Sequence, residues 1–229
     1  MTETAQAVLP QPAARRAKSA WKVDTPTTRI LSVLGDLLWL LTYIFTIRAG
    51  FRDHSYGIPL VAICLNFSWE FVFSLVIRPA SKLRLTLTLL WLAFDAVILY
   101  QVFLWGAAEQ IPSIRDHFVL IVVVTLVAAT LGHISFHYTF HDPGGQQAAF
   151  IIDLVMSVLF VFLFLGRPDL RGLSYTAAWL KMFGDFVLAA GNGALMYKEP
   201  KRYGFFLFIF VMIFIFDVIY VCLMAHARG

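Results

Sequence analysis

IPLVAICLNFSWEFVFSLVI, residues 58–77, is the stretch on which the fold is decided. It stays apolar over the ~20 residues that a helix needs to cross the hydrocarbon core of a bilayer. Yet Asn66, Ser68 and Glu70 sit in its middle. A carboxyl group at that depth is costly, so it marks a functional site by default. Helical spacing places Asn66 one turn before Glu70, with Phe73 and Ser74 one turn after it. Glu70 is therefore expected to have an amide neighbour, an aromatic wall and little water. A carboxyl in such surroundings keeps its proton and can donate it near neutral pH.

Six further apolar runs flank this one, at about residues 30–48, 85–105, 117–136, 150–166, 174–195 and 203–225. The fold class expected is all-α: a polytopic seven-transmembrane-helix bundle with a central aromatic-lined cavity. Composition agrees, with 60% hydrophobic residues, 14% charged and 16% aromatic, which excludes a soluble domain with a polar coat. Connections are short and carry Pro or Gly. Residues 1–28, rich in Ala, Pro, Gln, Arg and Lys without a signal-length apolar core, read as a flexible cytosolic tail. Residues 29–229 read as one transmembrane domain. Both Cys64 and Cys222 fall within spans and are expected as buried apolar fillers.

The net charge of +4 does not point to nucleic acid, because the Lys and Arg lie between the apolar runs. Eleven of them fall on the side of the N-tail (Arg15, Arg16, Lys18, Lys22, Arg29, Arg78, Lys82, Arg84, Lys198, Lys201, Arg202). Six fall on the other (Arg48, Arg52, Arg115, Arg167, Arg171, Arg228). The bias puts the N-terminus in the cytosol, in a bacterial cytoplasmic membrane or the endoplasmic reticulum.

Other polar residues enter the spans. Asp36 and Asp153 lie near span ends, where a carboxylate reaches the interface, although Asp36 shares a face with Trp39 and Tyr43. Lys181 and Asp185, four apart, read as a local ion pair. Asp217 has Phe210, Phe214, Tyr220 and Met224 on its face and no basic residue within two turns, so it is either protonated or paired with another helix. Asp95, one turn after Trp91, is open to either a functional or a packing role. His133, His137 and His141 recur every four residues, but the other three histidines are scattered, and interfacial polar positions fit better than a metal site. No Asn-Asp-x-x-Asp pattern, last-span Lys, Gly-x-Ser-x-Gly or His-Glu-x-x-His occurs.

Two isolated acids among aromatics, with no metal or nucleotide motif, point to proton-initiated chemistry on a greasy substrate. A neutral acid in a dry cavity can protonate an epoxide or an alkene, and aromatic faces stabilise the resulting cation without attacking it. Here a resemblance enters. Asn66, Trp69 and Glu70 in the second span, with Asp217 and Tyr220 in the last, resemble the small integral-membrane terpene cyclases of fungal meroterpenoid and indole-diterpene pathways and their bacterial indole-terpenoid relatives. The resemblance implies Glu70 and Asp217 as the acid pair, with Asn66 and Trp69 supporting. It implies a lipophilic prenylated substrate, membrane lipid around the chain, no cofactor, and a pathway shared with a prenyltransferase and an epoxidase. Helical facing alone adds Trp39, Tyr43, Trp91, Asp95, Tyr100, Phe214 and Tyr220 as candidate substrate contacts. The chain lacks a clustered Asp-x-Asp-Asp, which favours the epoxide over the alkene as the group protonated. Two rival readings are a proton-coupled transporter, for which Gly191-Asn192-Gly193 is the strongest helix break, and a non-catalytic partner of pathway enzymes.

Overall fold

The computed structural model describes residues 25–79, 81–142, 144–196 and 200–227. The expected cytosolic tail lies outside them up to residue 24. The helices are α1 (Pro26–Asp53), α2 (Leu60–Phe71), α3 (Lys82–Trp105), α4 (Pro112–Arg115), α5 (Phe118–Phe140), α6 (Gln146–Leu165), α7 (Tyr175–Met196) and α8 (Pro200–His226). A π-helical turn, Val72–Val76, continues α2, and a 3-10 turn, Gly106–Glu109, follows α3. Among the described residues there is no strand.

Each of the seven apolar runs forms a helix. Five helices, α1, α3, α5, α6 and α8, are long and apolar enough to cross a membrane, and α2 with its π turn is a shorter apolar helix. The expected count of seven is thus met by five on length and apolarity. In α7 the charges of Lys181 and Asp185, with Gly184, Gly191 and Asn192, dilute the apolar content. Large apolar side chains stand exposed on all five crossing-length helices, for example Leu41, Leu104, Val124, Phe162 and Phe208, which is the surface that lipid covers.

α1 starts at Pro26 rather than at 29, because Thr25 caps it. The Thr25 hydroxyl accepts from the Thr28 amide, Thr28 reciprocates at the Thr25 amide, and Pro26 occupies the first turn. α7 runs unbroken through residues 191–193. The Asn192 side chain satisfies itself by donating to the Leu188 carbonyl and accepting from Gln146, so the expected helix break is not there.

α1 and α7 pack closely because Gly35 leaves room for Leu188. A Cβ at Gly35 would lie 2.5 Å from Leu188 Cγ, a small-residue contact of the kind that membrane helices use. α7 then packs on α8, α8 on α6, and α2 on α3 and α5. The largest core cluster, including Tyr43, Ile63, Ile98, Met156, Phe160 and Tyr220, fills the centre and one end of the bundle. That end is tied by Arg167, which is buried, pairs with Glu109, donates to the Tyr56 carbonyl and lies over the Tyr56 ring. Cys64 is buried, but Cys222 is exposed, because its position on α8 turns outward.

Candidate active site

At the end of the bundle where α1 begins, the helices leave a pocket of about 570 Å³. Its aromatic wall comes from Trp39, Tyr43, Trp69, Phe73, Trp91 and Phe150. Three acids face it: Asp36 on α1, Glu70 on α2 and Asp153 on α6. Polar residues from the connection before α3 and from the starts or ends of α3, α6 and α7 (Ser81, Arg84, Gln146, Asn192) contribute the rest of the rim.

Glu70 is 3% exposed, and its Oε2 has no hydrogen-bond partner. The π turn begins two residues after it, and Ser74 Oγ donates to the Glu70 carbonyl at 2.6 Å. The expected amide neighbour, Asn66, does not donate to it. Both amide hydrogens of Asn66 go elsewhere, to Tyr43 Oη at 2.7 Å and to Asp95 Oδ2 at 2.8 Å. Asp36 and Arg84 line the same pocket. Trp69 is locked in place by a 2.7 Å bond from Nε1 to the Gly145 carbonyl and by its contact with Phe73. Gly145 is at φ +65°, and a Cβ there would collide with the Phe73 ring at 2.5 Å, so only glycine lets this wall close. Asp142, just before it, is buried. Burial pushes its carboxyl above the ordinary range, and the amides of Ala148, Gln147 and Gln146 pull the other way.

A second polar group lies on α7. Lys181, fully buried, donates to Asp185 Oδ2 at 2.6 Å, to Ser157 Oγ at 2.7 Å and to Asp217 Oδ1 at 2.8 Å. Asp153 Oδ1 stands 3.5 Å from the same nitrogen. Trp39 Nε1 donates to Asp185 Oδ1 at 2.6 Å. The expected Lys181–Asp185 pair is therefore present, and Asp217 joins it. Asp217 is the paired acid of the two alternatives, and it is not among the residues lining the pocket. Asp153 is not interfacial, since it reaches both the pocket and Lys181.

The remaining expected contacts divide. Trp39, Tyr43, Asn66, Trp69 and Trp91 line the pocket. Asp95 is fully buried behind Asn66. Tyr100 is 56% exposed, because five residues after Asp95 is ~140° around a helix. Phe214 is 45% exposed on the outer face, and Tyr220 packs against Phe160 in the core. His133 bonds the Leu65 carbonyl and His137 the Asp142 carbonyl, while His141 closes α5 in a left-handed conformation. Asp153 and Arg84 were missed as pocket residues because each reads, along its own helix, as an ordinary span-end charge.

Carboxyl groups set in an aromatic pocket of a helical membrane protein are the ingredients of acid chemistry on an apolar molecule. Residues 16–228 match the family described as Pyr4-like transmembrane terpene cyclases, and the chain belongs to that family. Its relatives include terpene cyclase macJ of Penicillium terrestre, 29% identical over 191 residues, covering 81% of this chain and 73% of that one. Terpene cyclase spyD of Aspergillus fumigatus is 29% identical over 188 residues, covering 79% and 78%. Terpene cyclase pyr4 of the same organism is 26% identical over 202 residues, covering 83% and 82%. No solved structure matches. The protein is a membrane terpene cyclase.

Proposed function

We propose that Glu70 starts the reaction by protonating the terminal epoxide of a prenylated substrate held in the pocket. The observation that carries this reading is the Glu70 carboxyl, buried, lining the pocket and with Oε2 unpartnered. An oxygen left so in a dry wall has a use once a substrate oxygen arrives. Protonation breaks an epoxide C–O bond, and the alkenes of the tail attack the carbon in turn to close rings. Trp39, Trp69, Phe73 and Trp91 face the travelling charge, each worth ~0.5–2 kcal/mol through its ring quadrupole. The walls exclude the water that would quench the cation early. No step needs a metal or a cofactor.

Asp217, the second acid of the resemblance, supports the reaction as a partner of Lys181, and through it helps fix the cavity wall at Trp39 and Asp153. Seven helices cross the membrane in this reading, with α2 and α7 sheltered by their neighbours. The charge bias of the sequence supports a cytosolic N-terminus, so the pocket opens on that side. A prenyltransferase and an epoxidase of the same pathway supply the substrate.

Membranes carrying the protein are to be incubated with epoxidised and non-epoxidised prenylated aromatics. The expected product is a cyclised isomer of unchanged mass, formed from the epoxide. A product heavier by oxygen or water, or passage of an unchanged substrate across sealed vesicles, would overturn the proposal.

A further inference from the structure

We propose that Asp153 is the base that ends the cascade, taking the proton whose loss turns the last carbocation into an alkene. The inference rests on the cyclase reading above.

An ammonium group has three hydrogens to donate. Those of Lys181 go to Ser157, Asp185 and Asp217 at 2.6–2.8 Å. Asp153 stands next in line at 3.5 Å and makes no hydrogen bond through Oδ1. It stands farther from the ammonium than the other two acids. Its side chain is 17% exposed, against 2% for Asp185 and 3% for Asp217, and it alone of the three lines the pocket. One carboxylate matches the charge of Lys181, and among the described residues no other cation pairs with the set. A second ionised acid makes the group anionic, and Asp153 presents that charge to the cavity. Glu70 differs: it has no cation bonded to it. One wall thus holds an acid with no described cation bonded to it and another a carboxylate beside an ammonium, which is how environment separates a proton donor from a proton acceptor.

The chemistry balances. Glu70 gives one proton to the epoxide oxygen, and a C–O bond breaks. Each ring closure uses an alkene electron pair to form a C–C bond. Finally a C–H bond breaks beside the last cation, its electron pair becomes the new alkene, and the proton goes to the Asp153 carboxylate. Substrate and product are isomers, and proton exchange with water at the mouth resets both acids.

The test uses Asp153→Asn and Asp153→Glu in membranes matched for inserted protein, with an epoxidised prenylated aromatic as probe. Asp153→Asn is expected to consume substrate while the share of the parent alkene falls by about tenfold or more. Other alkene isomers and alcohols heavier by one water replace it, and Asp153→Glu restores the parent product. A merely structural role lowers the amount and leaves the ratio alone. An unchanged ratio in Asp153→Asn overturns the inference. So does inserted Asp153→Asn protein that consumes nothing, since that places Asp153 in the first step. Asp153→Ser gives the same readout where the amide variant fails to insert. Glu70→Gln runs alongside: its full turnover would overturn the cyclase reading itself, whatever Asp153 does.

Discussion

Replacing Glu70 by Gln is expected to lower product formation by about a hundredfold or more, in protein that still inserts. The amide has nearly the same volume and shape, so Trp69, Phe73 and the π turn keep their places. No ion pair is lost, because Glu70 has none among the described residues. Its main-chain bond with Ser74 does not involve the side chain. What disappears is the transferable proton alone. Product measured at matched levels of membrane-inserted protein checks this. Retained turnover would show that some other group begins the reaction.

The second large effect is on stability. Lys181→Met should cost about 3–5 kcal/mol, because it strands carboxylates in the interior without their counter-ion. Asp185 and Asp217 are both nearly fully buried and each loses a bond of 2.6–2.8 Å. Asp185 keeps the indole of Trp39, which donates to its other oxygen. Methionine replaces the volume but not the charge. Adding Asp217→Asn should recover part of the loss, since it removes one of the stranded charges. Thermal midpoints in detergent decide the matter: a single variant as stable as the parent would mean that the cluster folds with its acids neutral.

How legible the molecule was depended on whether the deciding neighbour lay on the same helix. The helices of all seven runs could be read as apolar sequence, because hydropathy is a property of the run itself. Glu70 stood out for the same reason, as one acid in a greasy segment. The Lys181–Asp185 pair could be read because its members lie one turn apart. Asp217 could not be resolved, because its partner is on another helix, and a lone acid looks the same in sequence whether it faces a cavity or a buried cation. Asp153 was misread as interfacial for the same cause: its position near the start of a span suggested lipid headgroups, whereas the packing of both α6 and α7 on α8 brings Lys181 to it. Asn66 shows the limit of helical facing. It shares a face with Glu70, yet both its donors turn to the two flanking helices, toward Tyr43 on α1 and Asp95 on α3. Tyr100 and Phe214 fell on the outer surface because a sequence marks aromatics without saying which side meets lipid.

An experimental structure with a non-cyclisable analogue of the epoxidised substrate bound would test the proton transfer most directly. The account predicts the epoxide oxygen within about 2.6–3.2 Å of the Glu70 carboxyl, with the tail lying against Trp39, Trp69 and Trp91. An analogue seated elsewhere, or in the pocket with its oxygen turned away from Glu70, would contradict it.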